Sequence, residues 1–198
     1  MTRGEIENYL RKGSHICVIL GPSGSGKSTI IREMFFNLGY VELVSTTTRN
    51  VRYGEHDGID YHFKTKEEFF TMREKDAFVE CVPYDNGWYG VTKQEIKNKL
   101  KKHRKLLVIM DAEGAEQLKK YAQELVNVIY VYCTPEESRQ RMLDRGDDLQ
   151  DVEDRMRHDM KLNVWDNFHL ADFVIKNHDN QQEQAKLQTR EIVKKLTL

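Results

Sequence analysis

Residues 21–28 read Gly21-Pro22-Ser23-Gly24-Ser25-Gly26-Lys27-Ser28, a complete G-x-x-x-x-G-K-[ST] phosphate loop. The apolar run His15–Leu20 precedes it and the helix-like run Thr29–Phe36 follows it, which is the order of strand, loop and helix that this motif requires. Glycines let the loop curl until several N–H groups face phosphate oxygens, and the helix adds the positive end of its dipole. We therefore expect a nucleoside triphosphate site whose residues are Gly21, Ser23, Gly24, Ser25, Gly26, Lys27, Ser28 and Thr29.

Two side chains of this loop have distinct expected roles. Lys27 is long enough to reach the β- and γ-phosphates of a bound nucleotide. The Ser28 hydroxyl is the expected protein ligand of Mg²⁺. A glycine- and serine-rich turn with a chance lysine is the alternative, but it does not explain the strand and helix on either side.

The composition is that of an ordinary globular domain. The chain has 198 residues, of which 39% are hydrophobic and 32% charged, and 31 Lys and Arg nearly balance 32 Asp and Glu. This balance gives no reason to expect nucleic-acid or membrane binding. No apolar run approaches the ~20 residues of a membrane span, and residues 1–12 lack the apolar stretch of a signal peptide. The three separated cysteines (Cys17, Cys81 and Cys133) suit reduced thiols, so we expect a cytoplasmic protein.

Apolar runs alternate with helical patterns along most of the chain. Strand-like runs cover 15–20, 40–44, 106–110, 126–133 and 171–175. Helical patterns cover 5–11, 27–37, 112–124, 135–145, 151–169 and 181–196. Such alternation indicates an α/β fold with a parallel sheet between two helical layers. Ligands bind these sheets at the carboxyl ends of the strands, so the phosphate loop, Ser45 and Asp111 should surround one crevice.

Residues 45–95 break the alternation and have the pattern of an insertion. Thr65-Lys66-Glu67-Glu68 is a capping box that predicts a helix over 66–73. Further along, Asn86-Gly87 is a strong signal for a two-residue hairpin turn.

That turn predicts the register of the hairpin and the face on which each side chain lies. It sets Tyr84 opposite Tyr89, so that Glu80, Tyr89 and Val91 look into the same space. The geometry alone also allows Glu80 to be a solvated strand carboxylate.

Arginines are concentrated in the charged segment 138–157. Arg141 and Arg145 are spaced i, i+4 on one predicted helix face, and Arg155 returns on the next helix. Most charged runs are solvated helix faces. Three arginines around a short loop also suit a mobile clamp over phosphates.

These residues together resemble the guanylate kinase family over about residues 16–179. The resemblance is carried by Ser45–Glu55 (STTTRNVRYGE), Gly58–Phe63 (GIDYHF), Phe78-Val79-Glu80, Trp88-Tyr89-Gly90, Arg141–Gly146 with Arg155, and Val174–Asn177. It implies a P-loop kinase fold, three-layer αβα with a parallel sheet, in one domain of residues 1–198. The implied parts are a core (about 14–44, 96–135 and 160–198), an inserted nucleoside-monophosphate-binding region (about 45–95) and a lid (about 136–159).

The resemblance also implies a role for each site residue. Arg49, Arg52, Tyr61 and Tyr89 would hold the acceptor phosphate, and Ser45, Glu80 and Asp111 would surround guanine. Lys27, Arg141, Arg145 and Arg155 would act on the transferring phosphoryl group, and Asn177 would lie near the adenine of ATP. The implied reaction is ATP- and Mg²⁺-dependent phosphorylation of GMP or dGMP. The expected partners are small-molecule nucleotides, ATP and GMP or similar, and not nucleic acid or a membrane. The acceptor phosphate has a second pKa near ~6 and is already anionic at neutral pH, so no general base is needed.

Two positions depart from the family pattern. Val91 stands where the family usually has Ser or Thr, and the hairpin register predicts that it faces the guanine pocket, so that Val91→Ser should lower KM for GMP. Thr92 is a poor substitute because Thr92-Lys93-Gln94-Glu95 is itself a capping box. Ile109 stands where the family usually has an acidic residue, which leaves Asp111 as the carboxylate at that strand end.

Two alternative functions remain at this stage. One is a related phosphotransferase with another acceptor, such as a different purine monophosphate or a phosphosugar, which Val91 and Ile109 motivate. The other is a non-catalytic guanylate-kinase-like module that binds phosphorylated peptides. The intact Gly26-Lys27-Ser28 and the three lid arginines favour an enzyme. The sequence gives no indication of the oligomeric state.

Overall fold

The computed structural model of the chain describes residue 10, residues 12–84 and residues 87–197. The expected helix at 5–11 therefore lies outside the described residues except for Leu10, and so does Asn86 of the predicted turn.

The described residues form nine strands and seven α-helices. The strands are β1 His15–Leu20, β2 Val41–Glu42, β3 Thr46–Thr47, β4 His62–Phe63, β5 Phe78–Tyr84, β6 Gly87–Thr92, β7 Lys105–Ile109, β8 Val126–Tyr132 and β9 Phe173–Lys176. The helices are α1 Lys27–Leu38, α2 Lys66–Glu74, α3 Lys93–Lys102, α4 Ala112–Ala122, α5 Pro135–Asp144, α6 Leu149–Lys161 and α7 Gln182–Leu196. Short 3-10 helices cover Gln123–Leu125 and Val164–Leu170.

The larger sheet is parallel and has the strand order β2-β7-β1-β8-β9. All six residues of its central strand β1 are buried, as expected of a strand covered on both faces. Ile16, Val18 and Leu20 pack in one cluster with residues of α3 and α4. Cys17 and Ile19 pack in a second cluster with residues of α1 and α7. The alternation puts helices on both sides of the sheet, and the predicted three-layer αβα fold is confirmed.

A second, four-stranded sheet with the order β4-β3-β6-β5 lies within residues 46–92. Its β5–β6 hairpin pairs Tyr84 with Gly87 and Val82 with Tyr89, so the predicted pairing of Tyr84 with Tyr89 was wrong by two residues. Gly87, which the sequence pattern put in the turn, is the first residue of β6. A shift of two keeps every side chain on its face, because the side-chain period of a strand is two.

Helix α6 ends at Lys161, whereas the pattern predicted one helix over 151–169. Asn163 breaks it by adopting the left-handed conformation, with φ of 48°. The following 3-10 turn is fixed against β8, because the Tyr130 hydroxyl donates to the Val164 carbonyl at 2.8 Å. The Trp165 indole N–H likewise donates to the Cys133 carbonyl at 3.0 Å. These tertiary contacts outweigh the helical periodicity.

Val91 lies opposite Glu80 in the hairpin, but its side chain belongs to the core. It is completely buried in the cluster that contains Ile96 and Leu100 of α3. The expectation that Val91 faces an open pocket is therefore wrong. Its backbone N–H, by contrast, points to the site and donates to Glu80 Oε1 at 2.7 Å.

We expect Val91→Ser to lower the free energy of unfolding by about 1–3 kcal/mol, because it removes buried methyl groups and buries a hydroxyl. Urea unfolding measures this loss. Val174→Ser is the matched control, since Val174 is a strand valine that is 42% exposed, and it should change stability far less. A Val91→Ser protein of native stability and lower KM for GMP would contradict this placement.

Candidate active site

The phosphate loop has the curled backbone that its glycines predicted. Gly21, Gly24 and Gly26 have φ of 140°, 68° and 91°. A Cβ on Gly24 would lie 2.5 Å from the Ser138 carbonyl oxygen, and one on Gly26 would collide with the Asn177 side-chain nitrogen. Both the conformation and the space therefore require glycine. The loop ends at Gly26, the N-cap of α1, so the helix N-terminus opens toward the loop.

Lys27 is folded over its own loop. Its Nζ donates to the carbonyl oxygens of Gly21 at 2.8 Å and Pro22 at 2.7 Å. Burial lowers the pKa of Lys27 to about 8, while the nearby Asp159 carboxylate acts in the opposite direction. A phosphate anion at this ammonium would favour its charged form in the same way.

Asn177 supports the phosphate loop from behind. It is buried, and its side-chain amide donates to the Ser25 carbonyl at 2.8 Å. Its own backbone carbonyl accepts from Arg141 Nη2 at 2.7 Å. Asn177 thus stabilises the loop backbone, and its expected position near the adenine of ATP stays a prediction.

The three arginines that were expected in a lid are paired with acidic residues for which the sequence predicted no role. Arg145 Nε donates to Asp147 Oδ1 at 2.7 Å, and Arg155 Nη1 lies 3.4 Å from Asp147 Oδ2. Arg141 Nε donates to Asp179 Oδ1 at 2.9 Å. Asp147 thus joins Arg145 to Arg155, and the arginines expected to form a clamp converge in space.

A cleft of about 530 Å³ opens beside these arginines. It lies between α5 and the segment that leads into α7, and it is lined by Gln140, Arg141, Asp144, Arg145, Asp179, Asn180 and Gln182. Arg141 connects the cleft to the phosphate loop through Asn177.

The second sheet assembles the residues expected around an acceptor phosphate. Strand β3 pairs with both β4 and β6, which brings Arg49 beside Tyr61 and Tyr89. The Arg49 guanidinium carbon lies 5.3 Å from the centre of the Tyr61 ring, and the Tyr61 and Tyr89 ring centres are 5.8 Å apart. Burial raises the pKa of Tyr61, so its hydroxyl stays protonated and able to donate.

Glu55 holds the two arginines of this group and was missed as a site residue. Its carboxylate accepts from Arg49 Nη1 at 2.9 Å and Nη2 at 2.7 Å, and from the Arg52 backbone N–H at 2.8 Å. These bonds raise the pKa of Arg49 and lower that of Glu55. The spacing R-x-x-R-x-x-E of Arg49, Arg52 and Glu55 was the signal in the sequence. A carboxylate three residues after the second arginine can bond the backbone of that residue and the side chain of the first.

Two carboxylates meet at Gly114, on the first turn of α4. A Cβ at this glycine would lie 3.2 Å from both Glu80 Oε2 and Asp111 Oδ1. Asp111 is the N-cap of α4 and accepts from the Gly114 N–H at 2.8 Å. Glu80 is only 4% exposed, so the alternative of a solvated strand carboxylate is wrong. Burial raises the pKa of Glu80 to about 8, and the charge of Asp111 contributes to the rise.

Thr92 and Glu95 connect this pocket to Ser45. The Thr92 hydroxyl accepts from the Glu95 N–H at 3.1 Å, so the predicted cap is confirmed. The other half of the predicted capping box is replaced, because Glu95 Oε1 accepts from the Val44 N–H at 3.0 Å. Ser45 follows directly, and its carbonyl accepts from the His62 N–H at 2.9 Å.

The fold and the site together define a nucleoside monophosphate kinase of the P-loop class. The profile of the family described as Guanylate kinase matches residues 13–195, nearly the whole chain. The chain belongs to the guanylate kinase family.

Individual relatives agree with the family match. A guanylate kinase of Onion yellows phytoplasma is 34% identical over 179 residues, which cover 86% of this chain and 81% of that protein. One of Clostridioides difficile is 36% identical over 143 residues, which cover 72% and 69%. The crystal structure of guanylate kinase from Anaplasma phagocytophilum is similar in fold, with a TM-score of 0.73 at 24% identity, and covers 96% of this chain and 89% of that one.

No helix in the described part of the chain combines the length and the apolar character that a membrane crossing requires.

Stability should depend on pH through Glu80. Its folded pKa of about 8 lies above the model-compound value of 4.5, so between these values the folded state binds more protons than the unfolded state. The free energy of unfolding therefore falls as pH rises through this window, by at most about 1.4 kcal/mol per unit.

We expect Glu80→Gln to flatten this pH dependence, because glutamine keeps an acceptor for the Val91 N–H and has no titrating proton. Urea unfolding at pH 5, 6, 7 and 8 provides the measurement. Glu116→Gln, on the exposed face of α4, should retain the slope of the parent protein. Equal slopes for Glu80→Gln and the parent would show that Glu80 is ionised throughout.

Proposed function

We propose that this protein transfers the γ-phosphoryl group of ATP to GMP or dGMP and so forms GDP or dGDP. The observation that carries the proposal is the buried pair Glu80 and Asp111. Glu80 is in the same hairpin as Tyr89, and Asp111 follows β7, which pairs with the strand β1 that leads into the phosphate loop. The pair suits a guanine base, and the arginines and the loop suit the two phosphate groups that must meet.

Glu80 and Asp111 favour guanine because their carboxylate oxygens accept hydrogen bonds. Burial favours the protonated form of Glu80 in the empty site, and two donors of a bound guanine would shift it to the ionised form that accepts from them. Guanine offers its N1–H and its exocyclic amine as donors, whereas adenine presents a lone pair at N1. A buried carboxylate left against that lone pair costs about 1–3 kcal/mol or more, which disfavours AMP. Glu80 Oε1 already accepts from the Val91 N–H, which fixes the carboxyl group so that Oε2 can accept from the base. Ser45, at the end of the neighbouring segment, is the proposed third contact to the base.

Arg49, Arg52, Tyr61 and Tyr89 would hold the acceptor phosphate. Glu55 already fixes the Arg49 guanidinium, and the two phenol rings border it. Guanidinium and phenolic donors together suit a dianion and fix its direction. The acceptor oxygen is anionic at neutral pH, so the protein needs to orient it and does not need to deprotonate it.

The phosphate loop and Ser28 fit the donor and its Mg²⁺. Gly21, Gly24 and Gly26 form a cradle that side chains would fill, and Ser28 lies in the first turn of α1. Mg²⁺ would neutralise charge on the β- and γ-phosphates, with the Ser28 hydroxyl as its protein ligand. The polar cleft lined by Arg141 and Asn180 is the proposed position of the adenosine end.

Arg141, Arg145 and Arg155 would stabilise the transferring phosphoryl group. In the structure their charges are balanced by Asp147 and Asp179. Asp179 is exposed and Asp147 partly exposed, so the arginines could exchange these carboxylates for phosphate oxygens as the lid closes. Residues 136–159 would form this lid and residues 45–95 the acceptor region, against a core of 14–44, 96–135 and 160–198, in a protein of the cytoplasm.

An assay of ADP release with GMP, dGMP, IMP and AMP as acceptors tests the proposal. We expect turnover with GMP and dGMP, weaker turnover with IMP, which lacks the exocyclic amine, and the least with AMP. Turnover no better with GMP than with AMP would favour a phosphotransferase with another acceptor. ATP-independent binding of phosphopeptides without turnover would favour the non-catalytic module.

Lys27→Met should reduce kcat/KM by about 10³-fold, because it removes the ammonium that would neutralise the transferred group. Initial rates at saturating GMP and varied ATP give kcat/KM for ATP in both proteins. Lys120→Met, on the exposed surface of α4, is the control and should leave the rate unchanged. A loss of less than tenfold for Lys27→Met would place the reacting phosphates elsewhere.

A further inference from the structure

Helix α6 contributes a buried carboxylate to the phosphate loop. Asp159, in the last turn of this helix, is only 4% exposed. Its Oδ2 accepts from the backbone N–H of Ser23 at 2.7 Å, across 136 residues of sequence. A charge-assisted bond of this length to a backbone N–H is among the stronger hydrogen bonds in proteins.

The backbone of Ser23 is also held at its carbonyl, in the next peptide unit. Ser138 of α5 is fully buried, and its hydroxyl donates to the Ser23 carbonyl at 2.6 Å. The tip of the phosphate loop is therefore fixed between the two helices that carry the lid arginines. The two contacts differ in charge, since Ser138 is neutral and Asp159 carries a carboxylate.

Asp159 also lies within electrostatic range of Lys27. Its carboxylate is the largest of the neighbouring charges that favour the ammonium form of this buried lysine. Tyr130 is close enough for the carboxylate to contribute to the raised pKa of its phenol. The Tyr130 hydroxyl donates to Val164, so it does not neutralise Asp159. A buried anion of α6 is thus bonded to the phosphate loop, within electrostatic range of the cation that a bound triphosphate would use.

We propose that Asp159 is a built-in competitor of the donor's terminal phosphate. The inference rests on the proposed function, because it takes the loop to be the ATP site. Without nucleotide, the carboxylate keeps the Ser23 peptide in place and balances Lys27. With ATP bound, the same charge repels the phosphates at short range in a site of low polarity. Asp159 therefore weakens donor binding and favours nucleotide release.

Asp159→Asn tests this directly, because asparagine retains an acceptor for the Ser23 N–H and removes the charge. We expect the dissociation constant of Mg·ATP, measured by titration calorimetry without acceptor, to fall by about three- to tenfold. Asp159→Ser, a smaller uncharged variant, should shift it in the same direction. Asp151→Asn changes the net charge equally on the exposed first turn of α6 and should leave the affinity unchanged.

Ser138→Ala separates charge from positioning. It removes the other bond to Ser23 and keeps the carboxylate, so ATP binding should not become tighter. An unchanged or weaker affinity in Asp159→Asn would overturn the inference and make Asp159 only an anchor of the loop. Turnover of GMP by the parent protein is measured in parallel. Its absence would refute the proposed function, while the calorimetry would still decide the role of Asp159.

Discussion

The site depends on one constraint, the fixed shape of the phosphate-loop backbone. Three glycines with positive φ provide the curl, but they also make the unfolded loop especially free. Hydrogen bonds from distant segments restrict that freedom. Asn177 donates to the Ser25 carbonyl, Ser138 donates to the Ser23 carbonyl, and Asp159 accepts from the Ser23 N–H. Ser138 follows β8 and Asn177 follows β9 in the chain. Both strands lie on the same side of β1 in the parallel sheet, so the sheet brings these supports close to the loop. The packing of the core thus fixes the directions of the backbone N–H groups of the loop.

Most of the cations expected to face a phosphate have a carboxylate near them. Glu55 holds Arg49, Asp147 holds Arg145 and Asp179 holds Arg141, and Asp159 lies within range of Lys27. These carboxylates reduce the repulsion between the neighbouring positive charges and fix the direction of each arginine side chain. They differ in burial: Asp179 is largely exposed, whereas Asp159 is enclosed. Exposed partners can be exchanged readily, and an enclosed one cannot leave without movement of its helix.

Local patterns predicted the elements that local physics determines. The apolar run of β1, the capping box at Thr65 and the cap at Thr92 appear as expected, because each depends on neighbours within a few residues. Tertiary contacts decided the rest. The helix through Asn163 was interrupted by bonds to β8, and Val91 was drawn into the core by α3. The sequence predicted no role for Glu55, Asp147 and Asp159. A carboxylate contributes to a site only when the fold brings it close to a cation or an N–H group, and the sequence does not contain that distance.

The register of the β5–β6 hairpin has a consequence for how this part of the molecule can change. Glu80 and Tyr89 lie on one face because Tyr89 pairs with Val82, which is two residues from Glu80 in the same strand. This shared face is fixed by which residues pair, so a longer or shorter turn leaves both side chains where they are as long as Tyr84 still pairs with Gly87. A slip of the pairing by one residue would instead turn one strand over and send either Glu80 or Tyr89 to the opposite face. Length changes in this hairpin should therefore be tolerated in its turn and not within its strands.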